Sequence, residues 1–154
     1  MKHNWKVSLI FAALLTLFVA YPAYSVKYDK SNPTKMYSKA YKMIDKGQYS
    51  KAQKILKNYT KSEPEDPDGW TLLAFTYRKL DKFAESEEYY LKALNLEPDN
   101  KAALEYQGEL FIETNRIDLA NANIKKLQNL CPNSCEELEK LQSYLLDQSS
   151  KSNI

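Results

Sequence analysis

Apolar residues recur at helical spacing through residues 33–134, in paired stretches broken by short polar turns. The clearest pair runs over 68–80 and 83–96, parted by Asp81-Lys82. Trp70, Leu73 and Tyr77 mark the apolar face of its first half, and Phe83, Tyr90 and Leu94 that of its second. Pro98 closes the second helix, since proline cannot continue one. Asn32-Pro33 and Asp66-Pro67 each place a capping side chain before a proline suited to the first helical position. Asp99-Asn100 takes the capping role for a third pair. Beyond it, Leu138, Leu141 and Leu145, with Tyr144 beside them, predict a seventh helix over 135–147. Ser134-Cys135-Glu136-Glu137 has the form of a capping box at its start. Residues 148–154 are polar and read as a flexible tail. The chain is therefore all-α.

The pairs repeat with a fixed period of 34 residues, without insertions. Pro64, Pro98 and Pro132 form one column, and Ala40, Ala74 and Gly108 another. Ala52, Ser86 and Ala120 form a third, Tyr49, Phe83 and Ile117 a fourth, and Gly47, Asp81 and Asn115 a fifth. The units are 33–66, 67–100 and 101–134. Small residues at the Ala74 and Ser86 columns fit a close contact within each pair, which a bulkier side chain would overpack at roughly 1–3 kcal/mol.

These columns resemble the tetratricopeptide repeat (TPR). The run from Trp70 through Leu73, Ala74 and Tyr77, continued by Tyr90, Ala93 and Pro98, is similar to the family pattern. The flanking units depart from it, with Met36, Lys39 and Tyr59 in the first and Leu104, Gln107 and Leu127 in the third. The resemblance implies an α-solenoid of three helix pairs plus a C-terminal capping helix, with a right-handed superhelical twist. It also implies a concave groove lined by the first helix of each pair. By that resemblance the partner-binding positions include Tyr37, Tyr41, Thr71, Phe75, Arg78, Glu105, Tyr106 and Glu109. The groove then grades from aromatic (Tyr37, Tyr41, Phe75) to acidic (Glu105, Glu109, Glu113), which favours a segment carrying Lys or Arg. The alternative for Tyr41 and Phe75 is a place in the core between repeats. Some TPR proteins hold chaperone C-termini with a Lys/Asn/Arg clamp; the matching Tyr37, Tyr41, Leu72, Ala102 and Tyr106 do not supply that chemistry.

The first 25 residues differ in kind. Lys2 and Lys6 precede an apolar run over 7–20, then Ala23 and Ser25 place small residues where a signal peptidase cuts. The expectation is an exported protein, in a bacterial periplasm after cleavage following Ser25, with 26–32 as a short extension. The alternative is an inner-membrane anchor over 7–24, although the run is short for a span. Asn58-Tyr59-Thr60 keeps a glycosylated, eukaryotic route open.

Composition narrows the chemistry. The single histidine, His3, leaves with the leader, and 20 basic then balance 20 acidic residues. Nucleic acid finds no attracting field, and no histidine remains for a triad or a common zinc site. Three scattered glycines cannot cradle a phosphate. Catalytic residues, cofactors and metal ligands are not expected. Acidic neighbours such as Glu87-Glu88 and Glu136-Glu137 point apart on a helix.

Two features remain. Lys35, Lys39, Lys42 and Lys46 form one helical stripe. It reads as a solvated N-terminal cap, or as a basic patch for an anionic membrane surface or an acidic partner. Cys131 and Cys135 flank the turn before the last helix, and export favours a disulfide stapling that helix to the stack; free thiols are the alternative. The functional expectation is an exported adaptor that binds a peptide or partner protein. The second is an assembly subunit acting through its ends or convex face, able to self-associate.

Overall fold

A computed structural model describes residues 32–151. The expected leader (1–25) and nearly all of the extension (26–32) lie outside the described residues. Helices α1 (Pro33–Asp45) and α2 (Tyr49–Ser62) pack as a pair, as do α3 (Pro67–Arg78) with α4 (Phe83–Leu96) and α5 (Lys101–Glu113) with α6 (Ile117–Leu130). A last helix, α7 (Glu136–Lys151), lies chiefly against α5 and less against α6. The architecture is the all-α solenoid of paired helices with a distinct C-terminal helix.

The punctuation has a physical cause at each column. Asn32, Asp66 and Asn100 cap their helices by accepting from the backbone N–H of Thr34, Asp68 and Ala103. Gly47, Asp81 and Asn115 all sit in the left-handed region, at φ 66°, 56° and 57°. Each lets the chain reverse while its neighbours satisfy the last carbonyls of the preceding helix, as when Lys82 N donates to Tyr77 O at 3.0 Å. Only Gly, Asn and Asp enter that region readily, which explains the column. α3 ends at Arg78, two residues before the expected 80, because this turn begins there.

Small columns make the close contacts. Ala40, Ala52, Ala74, Ser86 and Ala120 are wholly buried, and Ser86 Oγ donates to Ala74 O at 2.9 Å. A Cβ at Gly108 would stand 2.5 Å from the Leu141 side chain, so glycine admits α7 onto α5. Leu138 and Leu141 are the buried residues of α7. They fall 34 residues after Leu104 and Gln107, so α7 continues the register of the first helices.

Two expectations change at this end. The helix runs to Lys151, past the expected end at 147, so most of the polar tail is helical. The capping box does not form with Glu137: Ser134 has φ 78°, and its Oγ donates to Glu139 Oε1 at 2.8 Å. Cys131 and Cys135 lie at bonding distance between α6 and α7, with Cα atoms 5.7 Å apart.

Candidate partner-binding groove

Successive first helices α1, α3 and α5 bring aromatic side chains to one face. Phe75 is central: its ring centroid lies 5.1 Å from Tyr106 on α5 and 6.1 Å from Tyr49 on α2. Tyr37 and Tyr41 stand one turn apart on α1, and both lie within electrostatic reach of Tyr106 two helices away. Tyr41 is 52% exposed, which places it outside the inter-repeat core. Phe75 is half-buried and belongs partly to that core. Burial, helped by Asp68 and Asp66, pushes the Tyr37 phenol up to about 12, so it stays a neutral donor.

The other predicted positions are placed differently. Thr71 is buried, its Oγ1 donating to Pro67 O at 2.8 Å, and offers no surface to a partner. Arg78 is fully buried, and its guanidinium bonds Glu109 and, at 2.6 Å, Glu113. The Phe75 ring lies 5.4 Å from the guanidinium carbon. Burial alone would lower the Arg78 pKa, but Tyr90, Glu109 and Glu113 raise it further than burial lowers it. Tyr90 Oη and Arg78 Nε have no hydrogen-bond partner, so their contact falls short of a formed bond. Glu113 Oε1 also accepts from Tyr144 Oη of α7 at 2.6 Å. The two carboxylates expected to greet a basic partner are thus held by Arg78.

Glu105 is buried as well, 3% exposed. Burial first, then the charge of Glu109, pushes its carboxyl up to about 8, with Lys140 opposing. It is largely protonated at neutral pH. The C-terminal wall of the groove is therefore much less acidic than its sequence suggests.

Acidity collects at the other end instead. Tyr37, Tyr59, Glu63, Asp66 and Asp68 line an open hollow of about 520 Å³. Two of its carboxylates already have partners: Asp66 accepts from the Tyr59 hydroxyl, and Asp68 Oδ1 from Asn100 Nδ2 at 3.0 Å. Reading the sequence by groove position missed both the hollow and the Arg78 pairing. The second had a signal, because Arg78 stands at position twelve of its unit and Glu109 and Glu113 at nine and thirteen of the next.

Among the described residues no group of His, Cys, Asp and Glu is arranged to hold a metal ion. No helix there is long and apolar enough to cross a membrane. In the Asn58-Tyr59-Thr60 sequence, Thr60 is buried within α2 and donates to Leu56 O.

The tetratricopeptide repeat family model matches residues 67–100, one of the three units. No curated protein matches the chain in sequence. Solved structures are similar over most of it. The Yersinia enterocolitica type III secretion translocator chaperone SycD is 16% identical, covering 79% of this chain and 95% of its own, with a TM-score of 0.68. The first TPR of Spaghetti (RPAP3), bound to the HSP90 peptide SRMEEVD, is 21% identical over 82% and 97%, with a TM-score of 0.67. The TPR2B domain of yeast Sti1, in a pHsp70 complex, is 17% identical over 77% and 97%, with a TM-score of 0.65. The chain has a tetratricopeptide-repeat fold.

Proposed function

We propose that this protein is a binding module that holds a peptide or an extended segment of a partner protein in the groove. The observation that carries it is the aromatic floor: Tyr37, Tyr41, Phe75 and Tyr106, from three successive first helices, with Tyr41 half exposed. Large, stiff rings bury much area at small entropic cost. The similar folds give support, since SycD has also been captured with a peptide of the translocator YopD.

The ligand fits an apolar or aromatic segment without net negative charge. Arg78 is internal, so no cation from it meets an acidic tail. An acidic peptide of the HSP90 kind would meet three phenols and the apolar Leu72 and Ala102 at the clamp positions, and no cation. Export remains part of the proposal, resting on the leader layout of residues 1–25 and on the Cys131–Cys135 pair. Cleavage after Ser25 gives a periplasmic protein; an uncleaved 7–24 gives an anchored one. Exposed Leu91 and Leu119 on the second helices favour a second reading, assembly through the convex face.

A photo-crosslinking side chain placed at position 41 tests the groove against one at position 91. The proposal expects a specific adduct from 41 and none from 91. Tyr41→Ala should weaken that binding with the melting temperature unchanged. Equal adducts from both positions, or full binding by Tyr37→Ala/Tyr41→Ala, would overturn the groove.

A further inference from the structure

Charge is divided sharply along this nearly neutral chain. Residues 33–62 carry eight lysines against Asp45 alone, a net +7. Residues 63–151 carry eighteen acidic and ten basic side chains, a net −8. All eight lysines of the α1–α2 pair are exposed, and every ion pair among the described residues is made by other cations.

The stripe Lys35, Lys39, Lys42 and Lys46 has a defined place in the stack. Its equivalents on α3 include Gly69, Leu73 and Thr76, all buried, with Gly69 against Tyr59 of α2 and Leu73 in a core shared with Ala40, Ala52 and Leu56. On α5, Ala103 and Leu110 are buried in clusters with residues of the preceding pair, while Gln107 is buried and accepts from Asn123 of α6. The lysines therefore form the N-terminal end face, which no described element covers. A solvated cap needs polar residues there, but it does not need four like charges at one-turn spacing, which repel one another.

A second copy is a poor match. Stacked head to tail, this face would meet α6 and α7, where Lys125, Lys126, Lys140 and Lys151 nearly balance Asp118, Glu136, Glu137, Glu139 and Asp147. Position along the chain points elsewhere. Twelve residues, 21–32, separate the apolar run over 7–20 from Pro33. Fully extended, such a link reaches about 40 Å. In the anchored form, with 7–24 uncleaved, this link holds the lysine face near the headgroups.

We propose that the lysine face of α1, with the exposed lysines of α2, docks on an anionic lipid surface. Each lysine near such a surface adds attraction that salt screens. The groove residues lie on other positions of the same helices, so docking leaves them open.

The test uses the full chain in flotation with vesicles of phosphatidylcholine alone and with phosphatidylglycerol added. The readout is the ratio of the two partition coefficients, in which insertion of residues 7–20 cancels. The variant Lys35→Gln/Lys39→Gln/Lys42→Gln/Lys46→Gln should lower that ratio on the order of a hundredfold at low salt. Lys101→Gln/Lys125→Gln should leave it unchanged. Acetylation footprinting of the unaltered protein keeps the test open if the variant misfolds. Lys35, Lys39, Lys42 and Lys46 should be protected on anionic vesicles while Lys101 and Lys125 react. A ratio near one, an unchanged ratio in the α1 variant, or equal acetylation of both sets would overturn the proposal. So would salt-sensitive self-association without vesicles that the α1 variant abolishes, which assigns the face to a second copy.

Discussion

Arg78→Met tests whether the buried guanidinium holds the second and third repeats together. The side chain is fully buried and bonds two carboxylates of the next repeat, whose own side chains are 13% and 22% exposed. Removing one partner of a buried ion pair leaves uncompensated charge and costs roughly 3–5 kcal/mol. The cation–π contact with Phe75 adds about 0.5–2 kcal/mol. Methionine retains part of the apolar packing, so a net loss of about 4 kcal/mol is expected, a large share of typical domain stability. Urea unfolding followed by circular dichroism reads it, with early loss of α5–α7 because the pairing spans that junction. Arg78→Met/Glu109→Gln/Glu113→Gln should recover at least half of the deficit. A loss below about 1 kcal/mol, the value of an exposed pair, would refute the reasoning. So would a triple variant no more stable than the single one.

Glu105 holds its proton more tightly folded than unfolded, about 8 against 4.5. Its contribution to stability is therefore full below pH 4.5 and is lost as pH rises toward 8. Glu105→Gln should remove that slope and stabilise the protein at pH 8.5 by on the order of 1–3 kcal/mol, seen as diverging melting curves of the two proteins. Gly108→Ala should loosen α7 through the clash with Leu141, costing about 1–3 kcal/mol and speeding proteolysis of residues 136–151. Reducing the Cys131–Cys135 pair should cost about 2 kcal/mol for so short a loop. Two reactive thiols in the unreduced protein would remove the staple altogether.

The fold was legible because its signals are local and repeated. Asn32, Asp66 and Asn100 cap where their positions suggest, and the Gly47, Asp81 and Asn115 column marks the left-handed turns. The candidate groove was legible only in part. Tyr37, Tyr41, Phe75 and Tyr106 gather on one face. Thr71, Arg78, Glu105 and Glu109 were assigned by position alone, and position does not reveal what stands opposite. Glu109 looks like a surface carboxylate until Arg78 of the previous repeat is brought beside it. The end of α7 was misjudged because residues 148–151 lack an apolar face, although helix propensity and an established upstream turn carry the helix on.

The sequence by itself determined the period, the helix pairs, the turns and the uneven distribution of lysine. Each of those depends on residues within one unit, where spacing and backbone preference suffice. Tertiary structure alone decided the electrostatics of the groove. Whether a carboxylate is free, paired or protonated depends on burial and on neighbours some thirty residues away, as Arg78 and Glu113 are. The acidic wall read along α5 thus became an internal ion pair and a raised Glu105, while the lysine face of α1 stayed exposed because no described element packs against it.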